Sequence, residues 1–412
     1  MEFRKSERLS HSLMCCLAIT FTIITFAKIN YSASVAYIVD RGIFTKSEAG
    51  FINSAYFLVY SLFQIFGGKI LDRMSPYFAV SFSIVGGFVT NIALAFTTSF
   101  VPVMIFWTLN GFFQFSAWPG VISLTSEALC DTHKKNGVML ATLSISGGSM
   151  LSFAFASIIL ESLGWSGLFV FNAVILVLSL VYWIILRKKT EGILYIRSAE
   201  KQVRRNSDMQ KSNTSPLSVY CKSGLVFVFF VILFGSIGSG IKSWMPTMML
   251  ESYNVSTIWS GLQTAVIYVC NMLGVVFLSR YMKRARNEAA TLGALYALAM
   301  PFVLTLLGIG TISQLMAIVC FVLISTLTCG TTNITAVMSV RLAEKGYGHS
   351  GSLAGIVNGF ASLATVIAST LFGYIAEYFD WQRVIVYCIV FFSVAFLLAI
   401  PAYFLWKRFI KE

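Results

Sequence analysis

The sequence predicts an all-α membrane protein with twelve spanning helices in two pseudo-symmetric six-helix bundles. Three observations lead there. The chain is 57% hydrophobic and only 11% charged, whereas soluble domains run near 25% charged. Its apolar runs are long enough to cross a bilayer, about 20 residues each, with short polar breaks between them. The second half also repeats the first: Gly50–Arg73 aligns with Gly261–Arg284 at an offset of 211, and Ser162–Val174 with Tyr378–Val390 at an offset of 216.

In chain order the spans are expected at 11–38, 48–70, 77–97, 100–127, 137–160, 164–186, 222–249, 257–279, 288–309, 312–340, 350–376 and 381–406. Each should be a helix, because lipid leaves no other open way to satisfy backbone N–H and C=O groups. The first run follows a basic N-terminus, is too long for a signal peptide and lacks a small-residue cleavage site, so it is expected to remain in the protein. A polar segment rich in Lys, Arg, Ser and Asn separates the sixth and seventh spans. The division is therefore a first bundle over 1–186, a cytoplasmic linker loop over 187–221 and a second bundle over 222–412.

The net charge of +13 does not point to nucleic acid. With the N-terminus in the cytoplasm, 25 of the 30 Lys and Arg residues fall in cytoplasmic segments. This is the positive-inside bias of a multi-pass protein. Both termini are thus expected to be cytoplasmic, in a cell membrane. The eight cysteines lie in or beside apolar runs with no metal-ligand spacing and no disulfide framework. No nucleophile–base pair, metal cluster or phosphate loop appears, so an enzyme, a metal and a cofactor are not expected. The expected partners are the lipid bilayer and a small-molecule anion, with the protein acting as a monomer.

Lys28 organises the chain. It lies near the middle of the first span, where a lysine costs roughly 2.5–3.5 kcal/mol on insertion scales. Such a residue normally faces a bundle interior or a water-filled cavity; the alternative is a side chain that snorkels to the headgroups. Several helical turns separate Lys28 from either end, which favours the cavity. The second intramembrane cation, Lys242, lies only about two turns from the end of the seventh span, and both placements stay open for it. By the repeat offset Lys242 corresponds to Tyr31, one turn from Lys28, so the two cations are expected to face one another across the pseudo-twofold axis. Tyr31, Tyr60, Gln64, Gln114, Trp118, Ser146 and Asn358 are further candidate substrate contacts, with Tyr60 and Gln64 one turn apart on the second span. Residues of this kind inside spans serve more often as helix–helix hydrogen bonds than as ligand contacts; Tyr60, Gln64 and Asn358 are the favoured contacts. Gly235, Gly238, Gly240 and Pro246 mark the seventh span as a helix able to bend.

Between spans 2 and 3, Gly67-Gly68-Lys69-Ile70-Leu71-Asp72-Arg73 carries a G-x-x-x-D-R pattern. It resembles the signature loop of the major facilitator superfamily, without the trailing basic residues usual there. The resemblance implies that fold, and a gating role for Gly68, Asp72 and Arg73. Two longer stretches resemble one branch of that superfamily, the organophosphate/anion antiporters. Asn110–Pro119 fits its G-x-F-Q-x-x-x-W-P segment, and Gly351–Gly359 its G-x-x-A-G-x-x-x-G start to span 11. Lys28 stands where the branch carries a basic pair. The branch's span 2 lysine, span 5 histidine and span 7 arginine positions are Gln64, Ser146 and Gly238 here. Lys242, one turn beyond Gly238, is the residue placed to substitute for the arginine. Lysine is a point charge rather than a bidentate fork, so a carboxylate is expected ahead of a sugar phosphate.

The functional expectation is a secondary transporter that moves a small organic anion, a carboxylate or phosphorylated metabolite, by alternating access. No Asp or Glu lies near the middle of a span. This favours exchange or uniport over proton coupling, and counts against the alternative of a multidrug or metabolite exporter with an embedded carboxylate. A non-transporting receptor on the same scaffold is the other alternative; the linker is too short and charged to hold a folded sensor domain.

Overall fold

In the computed structural model the backbone is described for residues 2–67, 74–129, 131–208, 223–282, 287–308, 313–331, 334, 338 and 350–411. Side chains are described within these ranges except at 2–9, 126–128, 131, 132, 134, 135, 189–208, 278–282, 350–355, 410 and 411. Gly68, Asp72 and Arg73 lie outside the described residues, as does the 209–221 part of the linker.

Among the described residues every regular element is a helix. The chain begins with α1 (Glu2–Asp40) and α2 (Lys46–Phe66). A capping box starts α2: the Thr45 side chain accepts from the Glu48 N–H, and the Glu48 carboxylate accepts from the Thr45 N–H. Ser75 caps α3 (Pro76–Ala95), with Pro76 in the first turn where no donor is lost. The fourth span is two helices, α4 (Phe100–Gln114) and α5 (Ala117–Ala128), rather than the single helix expected. Its break has a covalent cause. Pro119 has no N–H to return to the carbonyl four residues back, which is that of Phe115.

Spans 5 and 6 form the stretch Asp131–Asp208, helical on both sides of Gly164, whose φ of 69° and ψ of −171° are not helical. That backbone is open to glycine, and it turns α6 (131–163) directly into α7 (165–208). The expected linker loop is therefore partly helix, with α7 running on to Asp208. Good helix formers and the (i, i+4) pair Glu200/Arg204 occupy that extension in the sequence.

The seventh span bends as expected. It consists of α8 (Leu225–Ser239), a 3₁₀ turn (Gly240–Ser243) and α9 (Met245–Tyr253), with Pro246 in the first turn of α9. Four helices complete the twelve spans with α12 (Gln314–Thr328): α10 (Thr257–Met282), α11 (Glu288–Gly308), α13 (Ser350–Tyr378) and α14 (Trp381–Lys411). Ten described stretches are long and apolar enough to span. One of these, Asn136–Lys188, contains both α6 and α7, and α12 is a shorter apolar helix. The internal repeat reappears in the element starts: α10 begins 211 residues after α2, and Trp381 lies 216 residues after Trp165.

The halves meet along two antiparallel seams. In the first, α2 lies against α13. The Ser47 N–H donates to Glu377 (2.6 Å), Asn53 to the Ser369 hydroxyl (3.1 Å), Ser54 to the Val366 carbonyl (2.7 Å) and Thr370 to Ser54 (2.7 Å). The helices approach closely because small residues line them; a Cβ on Gly50 would collide with the Ser369 carbonyl. In the second seam α6 lies against α10, with Phe153 stacked on Tyr268 at 5.3 Å. Further ties close the end opposite the two termini. Glu161 accepts from Arg41 (2.7 Å) in its own half and from Thr257 (2.6 Å) in the other. Glu251 accepts from Lys46 (2.9 Å) across the halves and from the Trp381 ring nitrogen (2.8 Å).

Candidate functional site

Lys28 is half-buried, and its ammonium lies 3.7 Å from the centroid of the Tyr60 ring on α2. It points across the bundle to a neighbouring helix, not along α1 toward the headgroups. The negative face of the ring offsets part of the desolvation of the cation, by about 2 kcal/mol when the pair is dry. No carboxylate among the described residues pairs with Lys28 or with Lys242.

Tyr60 is held from two sides. On one, it begins an aromatic column: Tyr60 stacks with Tyr56 (6.1 Å), Tyr56 with Trp107 (4.9 Å), and Trp107 lies 5.2 Å from Tyr31. On the other, its hydroxyl accepts a hydrogen bond from Gln64 Nε2 at 3.1 Å. The same Nε2 donates to the Phe115 carbonyl at 3.1 Å, the group that Pro119 leaves free. Gln64 Oε1 accepts from Asn358 Nδ2 of the other half at 2.6 Å. Lys28, Tyr60, Gln64 and Asn358 are thus one connected group, built from α1, α2 and α13.

The remaining candidates lie elsewhere. Tyr31 is fully buried, with its hydroxyl 3.4 Å from the Ala49 carbonyl, so it supports the column from behind and does not join Lys28. Gln114 is spent between α3 and α4: its Nε2 donates to the Ser83 carbonyl (3.2 Å) and to Asn110 Oδ1 (3.3 Å), and its Oε1 accepts from Ser83 (2.8 Å). Trp118 packs against Phe21 of α1 at 5.5 Å. Ser146 is half-buried on α6, two residues before Gly148, which lies against the α1 backbone at Thr22 and Phe26. Lys242 occupies the 3₁₀ turn of span 7 and is half-buried there.

Sequence reasoning missed three parts of this arrangement. Tyr56 could have been found, since it precedes Tyr60 by one turn on the same face of α2. Trp107 and Phe153 carry no such signal, because an aromatic residue in an apolar span looks the same whether it faces lipid or a partner helix. The inter-half roles of Glu161, Glu251 and Glu377 are equally silent in one sequence.

Comparison with known proteins agrees with this architecture. The model of the Major Facilitator Superfamily matches residues 13–349. The chain is similar to a D-galactonate transporter of Escherichia coli O6:H1 (strain CFT073), with 22% identity over 93% of each protein. It is also similar to a glycerol-3-phosphate transporter of Bacillus subtilis (strain 168), with 21% identity over 86% of this chain and 83% of that protein. Among solved structures, the D-xylose–proton symporter superposes with a TM-score of 0.75 over 96% of this chain and 97% of the other, at 16% identity. Twelve spans in two related halves, a half-buried lysine against a tyrosine face and a family match over most of the length converge: the chain belongs to the Major Facilitator Superfamily of secondary transporters, and within it resembles the organophosphate/anion branch.

Proposed function

We propose that the protein carries or exchanges a small organic anion by alternating access, with Lys28 as the charge that the anion meets and Lys242 as a second cation on a movable turn. The observation that carries this reading is the Lys28 ammonium, which lies inside a span against a tyrosine face with no carboxylate beside it among the described residues. An anion gives that charge a stronger partner than a ring does. The names of the two relatives support the sign of the substrate, since galactonate and glycerol 3-phosphate are both anions. A single lysine point charge, with glutamine at the branch's second-span lysine position, suits a carboxylate better than a phosphate dianion. The reading places the protein in the cell membrane as a monomer with both termini cytoplasmic. It also keeps the division at 1–186, 187–221 and 222–412, and the gating role of Gly68, Asp72 and Arg73.

The experiment is transport in sealed proteoliposomes preloaded with one anion, with labelled carboxylates, phosphate esters and inorganic phosphate offered outside. Uptake that requires an internal anion, ignores a pH gradient and is lost in Lys28→Ala is expected. Uptake of neutral or cationic compounds that persists without Lys28 would overturn the reading.

A further inference from the structure

Gln64 is used at both ends of its amide. The nitrogen end is fixed on its own half, by the Tyr60 hydroxyl and the Phe115 carbonyl, each at 3.1 Å. The oxygen end accepts from Asn358 of the other half at 2.6 Å. Among the described residues this pair is the hydrogen bond of the α2/α13 seam nearest the termini, whereas the Ser47–Glu377 pair lies at the opposite end. The first half therefore offers a pre-set acceptor, and a single residue of the second half closes on it. The same nitrogen also bonds the hydroxyl of the ring on which the Lys28 ammonium rests.

We propose that Gln64 and Asn358 form a clasp that keeps the unloaded carrier closed at its termini end, and that Asn358 is a positioning residue acting through Gln64 and Tyr60 on Lys28. This rests on the anion reading above. Without an anion, the ammonium stays on the Tyr60 face, the Tyr60 hydroxyl stays on Gln64 Nε2, and Gln64 presents its oxygen squarely to Asn358. An anion draws the ammonium off the ring. Tyr60 then loses the contact that holds its ring, its hydroxyl leaves Nε2, and Gln64 pivots on its one remaining bond to Phe115. The clasp weakens and the halves separate there. Such a carrier turns over when loaded and stalls when empty, which is the behaviour of an exchanger.

The test separates the two claims. In proteoliposomes loaded with labelled D-galactonate or glycerol 3-phosphate, efflux into anion-free medium is compared with exchange against the same external anion. In Asn358→Leu, and in Asn358→Ser, which is too short to reach, the ratio of net efflux to exchange is expected to rise about three- to tenfold, the worth of one hydrogen bond. Asn358→Gln, which keeps an amide donor at this position, should leave the ratio nearer wild type than Asn358→Leu does. Both fluxes falling together at constant ratio would overturn the clasp. A second arm needs no transported anion. Ile65→Cys places a thiol beside Gly359 in the same seam, and its alkylation by a water-soluble maleimide is followed by peptide mass spectrometry. Alkylation several-fold faster when Asn358 is also changed supports the clasp, even if no anion proves to be carried, in which case only the anion reading fails. Equal alkylation rates overturn the clasp, whatever the substrate.

Discussion

The two lysines inside the membrane are held in unlike ways. Lys28 sits within the continuous 39-residue helix α1, where backbone carbonyls are engaged in the helix ladder, and its partner is a side-chain ring from α2. Lys242 sits in a four-residue 3₁₀ turn between two helices, with no ring over it among the described residues. Pro246 removes the donor that would return to the Lys242 carbonyl, so the turn is a built weak point in the ladder. One cation is therefore fixed by rigid packing and the other rides on a segment that can change shape. On the proposed reading, binding strength belongs to the first half and adjustment to the second.

Three measurements sharpen or break this comparison. The largest effect is expected at Lys28. Lys28→Ala should lower anion exchange by about 100-fold or more, as losing one partner of a buried charge pair costs roughly 3–5 kcal/mol. Lys242→Ala should raise the half-saturation concentration about tenfold with a smaller fall in maximal rate, since a contact near 1.4 kcal/mol is worth one decade. Equal losses for the two variants in initial-rate assays would erase the distinction between fixed and movable cations. The third effect belongs to the ring, and its range brackets the one at Lys242. Tyr60→Leu should change half-saturation about three- to thirtyfold, the range of a cation–π contact of about 0.5–2 kcal/mol. Tyr60→Phe, which keeps the face and loses only the Gln64 bond, should stay within a few-fold. If Phe and Leu behave alike, the ring face is not what supports Lys28.

Much of the fold was legible from the residues because lipid permits so little. A run such as Leu225–Ser239 has no alternative to a helix in a bilayer, and its neighbours in the repeat locate the matching run in the other half. The bend in span 7 was readable from Gly240 and Pro246. The break in span 4 was equally written, in Pro119, yet the expected span ran straight through it. What resisted reading was direction. Gln114 and Gln64 are both glutamines inside spans, but one is consumed between helices of its own half and the other reaches across to Asn358. An apolar helix surrounded by lipid and protein lacks the polar stripe that would mark its inward face. Tyr31 shows this: the turn that brings it near Lys28 in sequence also sets its buried ring against Trp107. The seams depend on small and hydroxyl residues, Gly50, Asn53, Ser54, Ser369 and Thr370, which are common throughout this chain and carry no label of their own.

The turn at Gly164 has a consequence for how the protein is made. A single glycine joins α6 to α7, and the ends beside it are tied down: Trp165 donates to the Leu94 carbonyl at 2.8 Å and Ser166 to the Ala95 carbonyl at 2.6 Å. There is no hydrophilic loop here to be carried through the membrane during synthesis, so the two helices must enter the bilayer together as one hairpin. A short epitope inserted after Gly164 should sharply reduce the yield of membrane-integrated protein. The same epitope after Gly42, an exposed turn residue at the same end of the bundle, should leave that yield nearly intact. Quantifying tagged protein in the membrane fraction checks both, and the pair defines where this transporter accepts a handle at the end opposite its termini.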